Sequence, residues 1–264
     1  MRIQTALTRL VGIEHPVVQT GMGWVAGARL VSATANAGGL GILAAATMTI
    51  DELATGIAKV KAATDRPFGV NIRADAADAG DRVELMIREG VKVASFALAP
   101  KPELIAALKE AGSLVVPSVG AAKHARKVAG WGADAVIVQG GEGGGHTGPV
   151  PTTLLLPSVL DALAGTEIPV VAAGGFFDGR GLGPRGCRIR RAVVCRGVWR
   201  LGTGGRRCRG LAVGAIRRQV GAVFYPGVAF GGCGRGRGAA DGGARGKGGG
   251  GAAAERRREG QGVL

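Results

Sequence analysis

Short apolar runs alternate with longer amphipathic segments along the first two thirds of the chain. Seven runs are rich in Val and Ile and lack polar alternation, which is typical of parallel strands buried on both faces. They lie at 15–20, 39–44, 67–72, 91–96, 113–118, 134–139 and 168–173. Helical patterns between them occupy 27–37, 50–63, 79–89, 102–111, 121–131 and 152–164.

This βα alternation predicts an α/β protein, either a (β/α)₈ TIM barrel or a doubly wound sheet. A complete barrel needs an eighth strand, and no convincing βα pattern follows Leu182. We therefore expect a TIM-barrel-type fold in residues 1–182, truncated after strand 7. An irregular or disordered basic tail, residues 183–264, would follow it. Without an eighth strand, the edges of strands 1 and 7 would stay unpaired.

Charge divides the chain at the same place. The formal net charge is +15, yet residues 1–182 hold 16 basic and 16 acidic residues, whereas residues 183–264 hold 18 and 3. The tail also holds 24 of the 50 glycines. A basic Arg/Gly-rich tail suggests nucleic-acid binding, but it has no aromatic residue after Gly231 for base stacking, so this remains a remote alternative. Arg, Gly and Ala with scattered Cys and Trp are typical of GC-rich codons read out of frame, so our hypothesis is a frameshift near codon 182.

Several classes of protein are disfavoured. The amino terminus lacks the apolar core of a secretory signal. The uncharged stretch from Leu30 to Ile50 has membrane-spanning length, but Asn36 and several glycines interrupt it, which favours a buried helix, turn and strand. All four cysteines lie in the tail, so residues 1–182 offer no thiolate metal site, and we predict no metal. We expect a cytoplasmic, soluble protein without membrane attachment.

The predicted chemistry lies where strands 6 and 7 end. Strand 6 runs into a glycine-rich segment at 140–148 that carries His146, and strand 7 runs into Gly174 and Gly175. Active sites of parallel barrels lie at the carboxyl ends of the strands. Glycines there either form tight turns or let backbone N–H groups approach a phosphate or a flat ring. Two such loops on adjacent strands favour a cofactor site. No Lys follows the glycines, so neither loop is a Walker phosphate loop.

Four motifs occur in an order and spacing that resemble one family: PVVQTGMGWVAGARLVSATANAGGLGIL, FGVNIR, VQGGEGGGHTG and PVVAAGGFFDGRGL. The chain resembles the nitronate monooxygenase family, also called 2-nitropropane dioxygenase-like proteins, over residues 1–182. The resemblance implies an FMN-dependent TIM barrel. Flavin-dependent enoyl-acyl-carrier-protein reductases have a similar glycine loop, and the segment is also similar to actinobacterial members that act on CoA thioesters of steroid-derived ring acids.

The resemblance also assigns roles to residues. His146 matches the active-site histidine of the family, over the flavin near the reacting carbon. The TGMG motif would lie along the flavin ring, FGVNIR would reach its polar edge, and the two glycines after strand 7 would bind its phosphate. The FMN-contacting residues implied in this way are Thr20, Gly21, Met22, Gly23, Asn71, Gln139, Gly144, Gly145, Gly174 and Gly175.

The family implies oxidation of alkyl nitronates with O2 to a carbonyl compound and nitrite. The alternative is a flavin-dependent reductase or dehydrogenase of CoA or acyl-carrier thioesters, with NAD(P)H as the redox partner. In the truncated form expected here, FMN would bind weakly and the chain would be inactive. Two residues have open roles: Trp24 either lines the substrate pocket or packs, and Glu142 either braces its loop or acts as a base.

Overall fold

Eight parallel strands close into a barrel in chain order. The computed structural model describes residues 4–145 and 147–176, and the backbone of the short segment 192–195. The strands are β1 (Val17–Gln19), β2 (Leu40–Ala44), β3 (Phe68–Arg73), β4 (Val93–Ala97), β5 (Leu114–Val119), β6 (Val136–Gln139), β7 (Val170–Ala173) and β8 (Ala192–Cys195).

Helices connect the strands. They are α1 (Ala6–Val11), α2 (Ala28–Asn36), α3 (Ile50–Ala63), α4 (Ala79–Arg88), α5 (Pro102–Glu110), α6 (Ala122–Gly130) and α7 (Thr152–Ala162), with a 3₁₀ turn at Ala45–Thr47. The seven strands and six helices expected from the sequence are therefore confirmed, with boundaries that differ by one or two residues. The α/β TIM-barrel-type fold is confirmed with them.

Alternation along each strand divides the core into two layers. On β3, Val70 and Ile72 point outward and pack against helix residues such as Ile57 and Met86. Inward-pointing side chains such as Val18, Ile42 and Val171 form the inner cluster. Both faces are apolar, which explains why the strands appear in the sequence as uninterrupted Val and Ile runs rather than as alternating patterns.

The helix α1, which closes the amino-terminal end of the barrel, is not among the elements predicted from the sequence. Leu7 and Val11 of this helix join Ile13 in the same cluster as the inner strand residues. The helix is only six residues long and is stabilised at its start by a capping box between Thr5 and Thr8. Such a short helix carries too little periodicity to be detected from apolar spacing.

The structure corrects the expectation that the barrel ends after strand 7. The backbone of Ala192–Cys195 forms β8, which pairs in parallel with β7 on one side and with β1 on the other. This four-residue Ala-Val-Val-Cys run pairs with the edges of both β1 and β7, because the ladders there are short. The run is hard to recognise as a strand in the sequence because arginines surround it. The rest of the predicted tail, residues 183–191 and 196–264, lies outside the described residues, and so does the expected disorder. In the described part of the chain, no helix is long and apolar enough to cross a membrane.

Close packing between β2 and α2 depends on glycine. A Cβ atom on Gly41 would lie 2.4 Å from the carbonyl oxygen of Val31, a backbone atom that cannot move aside without displacing the helix. Gly38, with φ of +85°, follows the end of α2 and reverses the chain into β2. Gly41 therefore sets the distance between α2 and β2, and Gly38 permits the tight connection between them.

We predict that Gly41→Ala destabilises the fold by about 2–3 kcal/mol, because α2 must shift outward to admit the methyl group. Gly80→Ala is the control, since a Cβ there would have nothing within 4 Å. That variant should be as stable as the wild type or slightly more so, because alanine favours helix more than glycine. Urea unfolding followed by circular dichroism measures both; equal stability of the two variants would contradict the packing argument.

Candidate functional site

The loop after β1 and the end of β3 are in contact. A Cβ on Gly21 would lie 2.4 Å from Cβ of Asn71, so only glycine permits this approach. The Asn71 side chain is 9% exposed, and its Nδ2 donates a hydrogen bond to Oγ of the buried Ser95, 3.2 Å away. The structure thus brings together Gly21 and Asn71, two of the predicted residues. Ser95 was missed because a lone serine within an apolar strand gives no sequence signal.

Thr47 holds the next part of the β1 loop. Its methyl carbon lies 2.9 Å from the place of a Cβ on Gly23, and its Oγ1 accepts a hydrogen bond from the Trp24 backbone N–H at 3.3 Å. The carbonyl of Met22 accepts hydrogen bonds from two following N–H groups, which closes a turn. Trp24 itself is 90% exposed, so packing against the protein does not explain why a tryptophan occupies this position.

A buried guanidinium fixes the position of Thr47. Arg82 of α4 donates to the carbonyl oxygens of Ala45 at 2.6 Å and Met48 at 2.8 Å, on either side of Thr47. It also pairs with Asp78 at 2.6 Å, and the hydrogen bond from Arg82 lowers the pKa of that carboxyl group. No sequence pattern predicts this arrangement, since Arg82 occupies an ordinary position in a helical pattern.

The glycine loop after β6 is braced internally. Nε2 of Gln139 donates to the carbonyl oxygen of Gly144 at 2.6 Å, and the Gly141 N–H donates to Val150. Glu142 accepts hydrogen bonds from the backbone N–H of Thr152 at 2.8 Å and from its Oγ1 at 2.9 Å. The backbone hydrogen bond from Thr152 is the main reason that the pKa of Glu142 is lowered. Glu142 therefore braces the loop as a carboxylate.

The loop after β7 lies directly against the loop after β6. Gly174 and Gly175 have φ of +89° and +76°, a region that favours glycine. A Cβ on Gly174 would lie 2.7 Å from the backbone nitrogen of Gly143. The adjacent strands β6 and β7 thus end in two glycine loops that pack against each other. Four of the predicted FMN-contacting residues lie in these two loops. Those four are Gly144, Gly145, Gly174 and Gly175.

Backbone N–H groups are the donors that this second cluster offers. Within the described residues, the N–H groups of Gly144, Gly145, Gly174 and Gly175 make no hydrogen bond. With no side chains to shield them, such groups are suited to bind the oxygens of an anion. His146, the predicted catalytic residue, lies outside the described residues; its chain neighbours Gly145 and Thr147 belong to the loop after β6.

A cavity of about 210 Å³ lies where β2 and β3 end, apart from the glycine loops. Arg73 and Arg82 line it together with Ala46, Ala76 and Asp78. Arg73 forms a two-bond fork with Asp75, at 3.0 and 2.6 Å, and this hydrogen bonding raises the pKa of the guanidinium. No group of metal-binding side chains occurs in the part of the chain that the structure describes.

Comparison with known proteins gives the family. The profile of the nitronate monooxygenase family matches residues 4–185. The chain belongs to the nitronate monooxygenase family. The proteins of this family are flavin-dependent oxidoreductases, which agrees with the glycine loops described above. The match ends three residues after Leu182, close to the point where charge and composition change.

Individual relatives differ in their named activities. One relative is the (3aS,4S,5R,7aS)-5-hydroxy-7a-methyl-1-oxo-octahydro-1H-indene-4-carboxyl-CoA dehydrogenase of Mycobacterium tuberculosis. The two sequences are 84% identical over 187 residues, and this aligned region covers 71% of this chain. The chain spans only 53% of that relative. Among solved structures, FabK from Thermotoga maritima is similar, with a TM-score of 0.68, 40% identity, and coverage of 73% of this chain and 60% of that one.

A second similar structure is a nitroalkane oxidase from Streptomyces ansochromogenes, with a TM-score of 0.63 and 31% identity. The match covers 73% of this chain and 67% of that one. The fold and the family are therefore common to enzymes whose names point to different substrates. The substrate must be argued separately from the fold.

We predict that Gly174→Ala destabilises the protein more than Gly165→Ala. Both glycines have similar positive φ values, +89° and +83°, so both variants incur about 1–2 kcal/mol of backbone strain. Only at Gly174 would the methyl group also collide with the neighbouring loop, since nothing lies within 4 Å of a Cβ on Gly165. Thermal unfolding compares them; equal melting temperatures would contradict an interlock between the loops.

We also predict that Glu142→Gln removes part of the acid sensitivity of the fold. The pKa of Glu142 is lowered in the folded protein, so its stabilising contribution is complete above the usual range of a glutamate. The contribution is lost as pH falls through the lowered pKa. The variant should melt at a lower temperature at neutral pH, and the difference should shrink in acid. Glu110→Gln, the same change at the end of α5, is the control; wild-type and Glu142→Gln profiles that run parallel would contradict this role.

Proposed function

We propose that this chain carries the FMN-binding barrel of a dehydrogenase for the CoA thioester of a hydroxylated fused-ring acid. The observation that carries the proposal is the 84% identity over 187 residues to a dehydrogenase of a hydroxylated octahydroindene carboxyl-CoA. Identity at this level extends well beyond what a common fold requires. The proposal reverses the order expected from the sequence, in which nitronate oxidation came first.

The described residues fit a flavin mononucleotide. Four N–H groups, on Gly144, Gly145, Gly174 and Gly175, have no partner among the described residues and suit a phosphate, and the absence of side chains leaves space for it. At the other cluster, backbone from Thr20 to Gly23 would lie along the ring, with Asn71 at its polar edge. Gln139 would contact the flavin through Oε1 or through the second N–H of Nε2, since the first N–H donates to Gly144.

The chain's own groups then position and deprotonate the substrate. When bound, the flavin would supply the two-electron acceptor that dehydrogenation of the substrate requires. His146 would accept the proton that the substrate loses, at an imidazole nitrogen, because imidazole groups ordinarily titrate near neutral pH. Asn71, held by Ser95, orients polar groups without exchanging a proton.

Oxidation of alkyl nitronates with O2 is the second candidate. The name of the matching family and the similarity to a nitroalkane oxidase structure favour it. The two candidates differ in their reducing substrate and in their need for oxygen. A direct comparison of substrates on one preparation therefore separates them.

The test is anaerobic reduction of bound flavin, followed by its absorbance. We predict that a hydroxylated fused-ring carboxyl-CoA bleaches the flavin, and that His146→Gln slows this step by about 10²- to 10⁴-fold with unchanged flavin content. Glu110→Gln is the surface control. Bleaching by an alkyl nitronate but not by the thioester would contradict the proposal and favour the second candidate. Both the 264-residue chain and a frame-restored version should be measured, since we expect the former to hold FMN more weakly.

We further propose that residues 183–264 are an out-of-frame translation. The family match ends at residue 185, and the basic, glycine-rich composition begins at the same place. The change in composition coincides with the loss of the βα pattern. Resequencing the locus tests this: one of the two other reading frames after codon 182 should continue the similarity to the dehydrogenase. A verified frame with no nearby insertion or deletion would contradict it.

A further inference from the structure

Two exposed apolar residues have an unfavourable backbone conformation. Among the described residues, Trp24 and Leu98 are the non-glycine residues with positive φ, at 58° and 71°. Their side chains are 90% and 45% exposed. For bulky residues this region of φ is a genuine outlier, and it costs on the order of 1–3 kcal/mol. Neither the backbone nor the burial of these side chains explains why large apolar residues stand at these positions.

Both residues lie on the face of the barrel that carries the candidate site. Trp24 directly follows Thr20–Gly23 at the end of β1, and Leu98 is the first residue after β4. The carboxyl ends of parallel strands meet at one end of the barrel. Trp24 and Leu98 therefore lie on the rim of the same mouth, separated by the ends of β2 and β3.

The surrounding structure holds the backbone of Trp24 in place. The backbone N–H of Trp24 donates to Oγ1 of Thr47, and the turn that precedes α2 is closed by hydrogen bonds from the N–H groups of Val25 and Ala26 to the carbonyl of Met22. Thr47 in turn lies between the two carbonyl groups that the buried Arg82 binds. A flexible loop would relax the backbone strain of a positive φ, so we infer that the surrounding contacts keep Trp24 in this conformation, with its side chain exposed.

The rim favours an uncharged, apolar occupant. The charged pair nearest to it along the sheet, Arg73 with Asp75 at the end of β3, is joined by a two-bond fork and is neutral as a unit. An indole presents a broad flat apolar surface, and a leucine a smaller one. A fused alicyclic ring offers matching apolar area, whereas the charged phosphates of CoA do not.

We propose that Trp24 and Leu98 are specificity-determining residues that contact the fused ring of the substrate, an inference that rests on the proposed function. They recognise the acyl part of the thioester rather than its CoA part. The third large exposed apolar residue, Leu154, is 62% exposed but lies in the helical backbone of α7. Single exposed leucines of that kind are common, so Leu154 serves as the control.

The experiment is calorimetric titration of the 264-residue chain with the CoA thioester of decalin carboxylic acid and, separately, with acetyl-CoA. Trp24→Asn and Leu98→Asn remove the apolar side chain but keep a residue that tolerates positive φ. We expect affinity for the decalin thioester to fall about tenfold for Trp24→Asn and about three- to fivefold for Leu98→Asn, as lost apolar contact predicts. Acetyl-CoA binding should change less than about twofold, and Leu154→Asn should bind both ligands as the wild type does.

Trp24→Gly adds a readout that a packing role would not produce. Glycine relieves the strain at φ of 58°, so this variant should melt at or above the wild-type temperature while still losing affinity for the decalin thioester. A lower melting temperature with unchanged affinity would overturn the inference. So would equal losses for both thioesters, or no loss at all. A wild type that binds neither thioester, both as the 264-residue chain and in its frame-restored version, would refute the proposed function as well. Binding that the substitutions leave unchanged would refute only this inference.

Discussion

The site depends on Thr152, which joins three elements at the carboxyl end of the barrel. It is the first residue of α7, it is 5% exposed, and both its N–H and its Oγ1 donate to Glu142 of the β6 loop. A Cβ on Gly140 would lie 2.1 Å from its Oγ1, so the loop must begin with glycine for the threonine to fit. Gly174 of the next strand lies against the same group. The N–H groups of both glycine loops are held in position through this contact.

The two ends of the barrel have different tasks. At the amino-terminal end, α1 closes the interior with apolar side chains and contributes stability. At the carboxyl end, polar groups replace them: Asn71 with Ser95 on one side, and the two glycine loops on the other. Rigid strands below and glycine backbone above allow close approach of a ligand without movement of the scaffold. The similarity to a CoA-thioester dehydrogenase and to a nitroalkane oxidase is consistent with one such scaffold serving several substrates.

Strands and helices could be predicted because β2 to β7 are mainly apolar, without regular polar alternation, and the intervening helices are amphipathic. Two elements could not: α1 is too short for its period to be visible, and the Ala-Val-Val-Cys run of β8 stands among arginines. The glycine loops could be located because they directly follow predicted strands. The catalytic role of His146 was inferred from the family resemblance alone. Thr152 and Arg82 were not predicted because their hydrogen-bond partners are far away in the sequence and their own positions in helical patterns are ordinary. The positive φ of Trp24 leaves no trace in the sequence, since it results from the contacts of Thr47.

The central claim is that the two glycine loops bind the phosphate of FMN. The most direct measurement compares the affinities of FMN and riboflavin by fluorescence titration of the flavin-free chain, in the wild type and in Gly174→Ala. We expect the wild type to prefer FMN, and we expect the substitution to remove most of this preference while riboflavin affinity changes little. Equal affinity of the wild type for the two flavins, or an unchanged preference in Gly174→Ala, would contradict the claim.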